Sequence, residues 1–145
     1  NASFYTIRAA LPHMLSNGSG RIVNISSIQG LIASPTKSAY VAAKTGLVGL
    51  TRAVALEVAT KNITCNCICP GFVDTPLIRG QFARIAKERN VSEEQVVNDI
   101  VFSFQPTKRF VHVDEIAAAV AFLCSHDARS INGAIIPIDG GAVAQ

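Results

Sequence analysis

Two kinds of hydrophobic segment succeed one another along the chain. In one kind, apolar residues recur with the period of a helix, and in the other they form a short continuous run typical of a buried strand. Near the start, apolar side chains recur at Phe4, Ile7, Leu11 and Met14, a spacing that predicts a helix. The segment from Arg21 to Ser26 is short, apolar and rich in β-branched residues, which predicts a buried strand. The pattern therefore begins with a helix that is followed by a strand.

The same alternation continues through the rest of the chain. A long apolar helix is predicted from Ser38 to Thr60, a strand from Asn62 to Ile68, and a last strand from Ala134 to Ile138. Three further helical patterns lie between the second and third strands: Gln81–Arg89, Ser92–Phe102 and Asp114–Cys124. Strands that alternate with helices predict an α/β fold built on a parallel sheet.

Composition narrows the range of partners. The chain has 145 residues, of which 16% are charged, and a formal net charge of +3. This length allows one domain or part of one. Lysine and arginine are scattered, so we expect no nucleic-acid partner, and the apolar stretches fall short of the roughly 20 residues that cross a bilayer. We therefore expect a cytoplasmic protein with no membrane partner.

Three of the four cysteines, Cys65, Cys67 and Cys69, alternate along the second predicted strand, which places their thiols on one face. A zinc site would need a C-x2-C spacing and a second pair of ligands, and the sequence has neither. We therefore predict buried, reduced thiols and no metal site, as suits a reducing cytoplasm.

The helix from Ser38 to Thr60 is apolar on almost every face. A helix of this kind must be buried on two sides. We expect a sheet on one side and a second subunit on the other, which predicts a homo-oligomer, either a dimer or a homotetramer.

Ser27, Tyr40 and Lys44 form the strongest candidate catalytic group. Ser27 directly follows the first predicted strand, at the edge of the sheet where ligands bind in open α/β folds. Tyr40 and Lys44 are four residues apart, so they share one face of their helix. A tyrosine ordinarily has a pKa near 10, and a nearby cation is needed to favour its phenolate as a base. This group suits acid and base chemistry at a carbon that exchanges a hydride with a cofactor.

Each part of this pattern has an ordinary structural explanation. A Tyr-x3-Lys pair is common on helix surfaces, a lone serine is usually a turn residue or a cap, and Pro70-Gly71 alone merely ends a strand. The ordered combination is what points to function: a serine at a strand end, a tyrosine thirteen residues later, a lysine four residues further, and then a strand that ends in Pro-Gly.

This combination resembles the short-chain dehydrogenase/reductase family over essentially all 145 residues. Within the family, the sequence is most similar to the bacterial D-3-hydroxybutyrate dehydrogenase subfamily. The resemblance implies the carboxyl-terminal half of a Rossmann-like, doubly wound parallel sheet, with three strands alternating with helices. The segments that carry it are RAALP (8–12), YVAAK (40–44), 46–51, CPG (69–71), QP (105–106), FLCS (122–125), DGG (139–141) and AQ (144–145).

The resemblance also implies roles for individual residues. Tyr40 would be the general acid and base, Ser27 would orient the substrate oxygen, and Lys44 would favour the phenolate and bind the nicotinamide ribose. The nicotinamide end of NAD would be contacted by Pro70, Gly71, Val73 and Thr75, with the Val73 backbone on the carboxamide. Lys37, which precedes the tyrosine by three residues, and Gln81, on the loop after Pro-Gly, would hold a substrate carboxylate.

Three positions depart from the subfamily pattern. That pattern has a histidine two residues after the catalytic serine, a tryptophan directly after Pro-Gly, and a tryptophan directly after the final Gly-Gly. Those positions are occupied here by Gln29, Phe72 and Ala142. Gln29 can still donate a hydrogen bond to a carboxylate, so acid binding is expected to survive. Loss of both tryptophans predicts a roomier or differently shaped substrate pocket, which Phe72 would line.

The family's glycine-rich turn and its helix asparagine do not match residues of this chain, and Asn1 is not expected to be that asparagine. We therefore expect residues 1–145 to be the carboxyl-terminal catalytic part of a single domain whose glycine-rich half precedes them. The expected activity is hydride transfer between NAD and a small hydroxy acid or ketone, with (R)-3-hydroxybutyrate and acetoacetate as the best substrate pair. For the cofactor, NADP is the alternative. For the function, the alternatives are a 3-oxoacyl thioester reductase, another short-chain alcohol dehydrogenase, and a non-catalytic fragment.

Overall fold

The computed structural model describes residues 2–144, so Asn1 and Gln145 lie outside the described residues. Three strands alternate with five helices in the order that the sequence predicts. Shorter helical turns lie at Ile28–Gly30, Asn98–Phe102 and His126–Ala128. The main elements are α1 (Ala2–Asn17), β1 (Gly20–Ile25), α2 (Ser38–Glu57), β2 (Ile63–Pro70), α3 (Pro76–Arg89), α4 (Glu93–Val97), α5 (Val113–Cys124) and β3 (Ile135–Ile138).

The strands form one parallel sheet in the order β1-β2-β3. Cys67 lies at the middle of this sheet, paired with Asn24 on β1 and Ile135 on β3. All eight residues of β2 are buried, as expected for the central strand of a covered parallel sheet. The predicted α/β class and parallel sheet are therefore confirmed.

Helices α1 and α2 cover one face of the sheet. Alternation along β2 turns Cys65, Cys67 and Cys69 toward this face, where all three are free thiols with no exposed surface. The prediction of buried, reduced thiols is confirmed for these residues. Helix α5 contacts β1 and β2 and covers the opposite face. The core between α1, α2 and the sheet consists of Ile7, Ile22, Val54, Ala55, Val58, Ile63 and Cys65.

Helix α2 ends at Glu57, three residues before the predicted end at Thr60. Only one side of α2 is buried, mainly through Val48 and Val54, while Leu56 is 80% exposed. Burial on two sides is therefore not seen in this chain, and the homo-oligomer stays a prediction. Within residues 2–144, no helix has the length and hydrophobicity needed to cross a membrane.

Helix α3 starts at Pro76, earlier than the prediction of Gln81. Thr75 caps the helix by accepting a hydrogen bond from the N–H of Ile78, and Pro76 occupies the first turn, where its missing N–H costs nothing. Gln81 consequently lies within α3, whereas the helical pattern predicted it as the first helical residue and the family resemblance implied a loop. Helices α3 and α4 enclose a second apolar core, formed by Phe82, Ala86, Val96, Val97 and Val101.

Candidate active site

A cavity of about 300 Å³ opens at the carboxyl ends of β1 and β2. This edge of a parallel sheet is where ligands bind in open α/β folds. Within it the structure brings together Ser27, Tyr40 and all of the predicted substrate-binding residues. The cavity is lined by Ser27, Ile28, Gln29, Lys37, Tyr40, Gly71, Phe72, Leu77, Ile78 and Gln81.

Ser27 is placed by the turn that leaves β1. Its backbone is extended, and its Oγ accepts a hydrogen bond of 3.2 Å from the N–H of Gln29, which caps the short helix Ile28–Gly30. Because Oγ is an acceptor in this bond, its own proton is free to be donated toward the cavity. The serine that the sequence places at a strand end is therefore both a cap and a cavity residue.

Tyr40 and Lys44 lie one turn apart on α2, as their spacing predicts. The Nζ of Lys44 is 5.6 Å from the centre of the Tyr40 ring and donates a 3.0 Å hydrogen bond to the carbonyl of Ile25. Tyr40 lines the cavity and is 47% exposed, so its hydroxyl can be reached by a ligand. Lys44 stands behind the tyrosine and is absent from the cavity lining.

Lys37 and Gln81 also line the cavity, although they come from different elements. Lys37 immediately precedes α2, and Gln81 lies in the second turn of α3. Among residues 2–144, neither side chain has a hydrogen-bond or ion-pair partner. One positive charge and one free amide are thus available to a ligand.

Gln29 is more constrained than the sequence suggests. Its Nε2 donates a 2.8 Å hydrogen bond to the hydroxyl of Ser34. Its Oε1 is buried and has no partner among the described residues. An amide nitrogen carries two protons, so one donor of Gln29 remains for a ligand.

The four residues predicted to contact a nicotinamide follow directly from the end of β2. Pro70 is the last residue of the strand, and Thr75 caps α3. Val73 lies opposite Val111 in a short parallel bridge. The hydrogen bonds of this bridge are made by its two neighbours: the Val111 N–H donates to the Phe72 carbonyl, and the Asp74 N–H donates to the Val111 carbonyl. The N–H and C=O of Val73 itself have no partner within residues 2–144 and are free to bind a ligand amide.

Gly71 is required by a close approach of the chain to itself. A Cβ at this position would lie 2.3 Å from Oε1 of Gln105 and 2.9 Å from the Cα of Asp139. Fully buried Gln105 accepts a hydrogen bond from the N–H of Phe72 and donates one of 2.7 Å to the carbonyl of Arg109. No local pattern in the sequence indicates a role for Gln105 in the site, yet its two hydrogen bonds hold the cavity wall in place.

An apolar wall completes the cavity. Ile28, Leu77 and Ile78 form it together with Phe72, whose ring centre lies 6.3 Å from that of Phe82. None of the three aliphatic residues is predicted as a site residue from the sequence. The signal for two of them was present, because Thr75-Pro76 is a typical helix start that places Leu77 and Ile78 in a first turn beside the Pro-Gly segment. Ala142 is buried and does not line the cavity.

Asp74, the first acidic residue after the Pro-Gly segment, is paired with a neighbouring arginine. Asp74 forms a 2.8 Å ion pair with Arg79, and this hydrogen-bonded guanidinium lowers the pKa of the exposed carboxyl. Near the amino end of β2, away from the cavity, burial raises the pKa of Cys65 from 9.0 to about 12, so that thiol stays protonated. The described residues contain no group of three or more histidine, cysteine or acidic side chains arranged to hold a metal ion.

Comparison with known proteins identifies the family. The family model described as enoyl-(acyl carrier protein) reductase matches residues 1–143. A D-beta-hydroxybutyrate dehydrogenase of Rhizobium meliloti (strain 1021) is 50% identical over 145 residues, which cover all of this chain and 56% of that protein. The chain belongs to the short-chain dehydrogenase/reductase family. It spans about half the length of the curated relatives that it matches.

Solved structures agree with this family. The crystal structure of levodione reductase superimposes with a TM-score of 0.88 at 37% identity, covering 97% of this chain and 53% of that one. An actinorhodin polyketide ketoreductase with NADPH gives a TM-score of 0.81 at 36% identity over 89% of this chain and 49% of its own. The three-stranded sheet and its helices thus have the Rossmann-type arrangement of the short-chain dehydrogenase/reductase family.

Proposed function

We propose that this protein transfers a hydride between NAD and a small 3-hydroxy acid, with (R)-3-hydroxybutyrate and acetoacetate as the best pair. One observation carries the proposal: Ser27 and Tyr40 share a single small cavity with Lys37 and Gln81. The first two suit a reacting hydroxyl or carbonyl, and the last two suit a carboxylate. The relative from Rhizobium meliloti supports the same substrate class by its name.

In this proposal each side chain has one task. During oxidation, Tyr40 as phenolate takes the proton of the substrate hydroxyl, and Ser27 donates a hydrogen bond that holds the substrate oxygen against Tyr40. The ammonium of Lys44, 5.6 Å from the centre of the tyrosine ring, would attract the negative charge that Tyr40 carries while it exchanges the proton. A nicotinamide cofactor, when bound, would supply the hydride acceptor, since no side chain can do so. Reduction reverses the steps, with Tyr40 returning the proton.

The acid end of the substrate is held away from the reacting oxygen. Lys37 supplies a cation without a competing carboxylate, and Gln81 supplies amide protons. Gln29 contributes its remaining amide proton. Ile28, Leu77, Ile78 and Phe72 favour a short alkyl group, and the volume of about 300 Å³ is at the small end of ligand cavities.

The residues at the end of β2 fit a nicotinamide. The free N–H and C=O of Val73 match the complementary groups of a carboxamide, and Thr75 presents a hydroxyl beside them. Pro70 and Gly71 shape the adjoining backbone. The ammonium of Lys44 donates one proton to the Ile25 carbonyl, and its other two protons would bind a ribose hydroxyl. NAD is the proposed cofactor, and NADP is the alternative, as in the ketoreductase solved with NADPH.

Residues 1–145 are proposed to be the carboxyl-terminal catalytic part of one domain. The length relationship to the relatives supports this, because the chain matches 56% of the Rhizobium protein. The outer edge of β1 supports it as well, since β1 pairs with β2 alone within the described residues. A further strand on that edge would cover it.

A 3-oxoacyl thioester reductase is the second candidate function. The description of the matching family model, an enoyl-(acyl carrier protein) reductase, supports a thioester substrate, although an enoyl reductase acts on a carbon–carbon double bond and not on a 3-oxo group. Lys37 argues for the free acid, because a thioester has no carboxylate for that cation to bind. A fragment without catalytic activity is the third alternative.

The test uses the full-length protein and a panel of matched substrates. Formation of reduced cofactor is followed by its ultraviolet absorbance with (R)-3-hydroxybutyrate, (S)-3-hydroxybutyrate and 2-butanol, each with NAD and with NADP. Consumption of reduced cofactor is followed with acetoacetate and with acetoacetyl thioester. We expect the highest kcat/KM for (R)-3-hydroxybutyrate with NAD in oxidation and for acetoacetate in reduction. A preference for the thioester would establish the second candidate instead, and no turnover of any substrate would refute both.

A further inference from the structure

Ser26 lies beside the site but has no task in the chemistry proposed above. It is 4% exposed, and its N–H donates a 2.8 Å hydrogen bond to the carbonyl of Ile68, which extends the pairing of β1 and β2 by one residue. Its hydroxyl turns toward α2 and donates to the carbonyl of Lys44 at 2.9 Å. Ser26 therefore joins the sheet to the helix that carries Tyr40 and Lys44.

Two hydrogen bonds join Lys44 to the end of β1, and Lys44 accepts one of them and donates the other. While Ser26 donates to the Lys44 carbonyl, the Lys44 ammonium donates to the carbonyl of Ile25 at 3.0 Å. The usual helical partner of the Lys44 carbonyl is the N–H of Val48, and a carbonyl oxygen has two lone pairs. The bond from Ser26 is thus additional to the helix and is not needed to form it.

Gly30 covers this contact. A Cβ on Gly30 would lie 2.7 Å from Oγ of Ser26 and 2.9 Å from the carbonyl oxygen of Lys44. Only a residue without a side chain allows the turn after Ser27 to close this tightly over the two atoms. The bond is consequently partly buried, with Ser26 itself only 4% exposed.

We infer that Ser26 is a positioning residue, whose bond to Lys44 sets the distance between Ser27 and Tyr40 and fixes the Lys44 ammonium. Ser27 is the next residue in the chain, so any movement of Ser26 relative to α2 moves Ser27 relative to Tyr40. A misplacement of about 1 Å in a catalytic group can cost about a hundredfold in rate. The kinetic part of this inference rests on the proposed function, whereas the part that concerns Lys44 does not.

Thr51 provides a matched control for removal of the Ser26 hydroxyl. It is fully buried on α2, two turns after Lys44, and its Oγ1 accepts a 2.9 Å hydrogen bond from Nδ2 of Asn24 on β1. Ser26→Ala removes the bond between the end of β1 and α2, and Thr51→Val removes another bond between β1 and α2 together with the bond from the Thr51 hydroxyl to the Leu47 carbonyl. Only the first bond adjoins the proposed catalytic group.

The kinetic test compares these two variants of the full-length protein. We expect Ser26→Ala to lower kcat for (R)-3-hydroxybutyrate by about tenfold or more while KM changes little, since a positioning error acts on the transition state. Thr51→Val should keep kcat close to that of the wild type at temperatures well below its Tm. Equal losses of kcat in the two variants, or an unchanged kcat in Ser26→Ala, would overturn the inference.

A second measurement does not depend on enzymatic activity. Lysines of the folded protein are acetylated at trace levels and quantified by peptide mass spectrometry, with exposed Lys87 as the reference. Ser26→Ala releases the Lys44 backbone and so weakens the bond between the Lys44 ammonium and Ile25; it should raise the relative labelling of Lys44 by about threefold, up to about tenfold if that bond is lost entirely, and Thr51→Val should not. Unchanged labelling of Lys44 would refute the inference even in a protein that oxidises no hydroxy acid.

Gly30→Ala tests the same contact with the Ser26 hydroxyl retained. The added Cβ forces Ser26 and Lys44 apart. We expect the same loss of kcat and the same rise in Lys44 labelling, and a double variant with Ser26→Ala should be no worse than the more impaired single variant. Additive losses in the double variant would show that the two residues act separately and would contradict the inference.

Discussion

The ammonium of Lys44 lies 5.6 Å from the centre of the Tyr40 ring, one turn away on α2. This distance is within the range in which a cation and an aromatic ring attract each other. One proton of Lys44 is donated to the carbonyl of Ile25, and two remain. The lysine is thus held by the sheet with its positive charge next to the tyrosine ring.

Replacing Tyr40 with phenylalanine removes the hydroxyl and keeps the ring. We predict that kcat of the full-length enzyme falls by at least about a hundredfold, the usual loss when a general acid and base is removed. Binding of NAD, measured by calorimetry, should be nearly unchanged. Near-normal turnover by Tyr40→Phe would exclude the proposed mechanism.

Lys37→Ala tests the carboxylate contact. We predict that KM for 3-hydroxybutyrate rises by about tenfold or more, because a charge-assisted hydrogen bond is lost, while KM for the neutral 2-butanol changes little. Lys87→Ala, at the exposed end of α3, is the control and should affect neither value. Equal increases of KM for the acid and the alcohol would mean that Lys37 has a structural role only.

Gly71→Ala tests the close approach that shapes the cavity wall. The new methyl group would overlap Oε1 of Gln105, so we predict a loss of about 1–3 kcal/mol in the free energy of unfolding, the usual cost of overpacking. Gly49→Ala is the matched control, since a Cβ there meets nothing within 4 Å. It should stabilise α2 by about 0.5–1 kcal/mol. Chemical denaturation measures both, and a tolerated Gly71→Ala would contradict the described packing.

The cysteines give a prediction about reactivity. Cys124 is exposed and should be alkylated by iodoacetamide in the folded protein, whereas Cys65, Cys67 and Cys69 should react only after denaturation. Peptide mass spectrometry of the native and the denatured protein distinguishes the two classes. Alkylation of Cys65 at neutral pH without unfolding would show that β2 is not buried as described.

The raised pKa of Cys65 also gives a pH dependence with a definite sign. Folding favours the protonated thiol, because burial raises its pKa from 9.0 to about 12. This contribution to stability is complete below about pH 9 and is lost as the pH rises toward 12. Cys65→Ala should therefore be less sensitive than the wild type to unfolding between pH 9 and 12, as followed by circular dichroism.

Local patterns in the sequence predicted most of the fold. The apolar periods gave three parallel strands and the helices between them, because each pattern depends on neighbouring residues only. The predicted start of α3 at Gln81 is wrong, because Thr75-Pro76 is a capping pattern that begins the helix at Pro76. Gln81 therefore lies within the helix, and it lines the cavity as predicted.

The parts of the site that escaped prediction depend on distant contacts. Gln105 reaches the Phe72 backbone across 33 residues of sequence, and no local pattern indicates such a bond. Ile28 reads as an ordinary apolar residue until the fold places it in the cavity wall. The hydrogen bond between Gln29 and Ser34, which leaves one donor fewer for a ligand, likewise appears only in three dimensions.

Transfer of deuterium is the most direct test of the central claim that this cavity oxidises a 3-hydroxy acid. The full-length protein is incubated with NAD and (R)-3-hydroxybutyrate that carries deuterium at carbon 3, and the reduced cofactor is analysed by mass spectrometry. We predict one deuterium in each reduced cofactor, an equal amount of acetoacetate, and a rate at least about a hundredfold lower in Tyr40→Phe. Unlabelled or absent reduced cofactor, or an equal rate in Tyr40→Phe, would contradict the account.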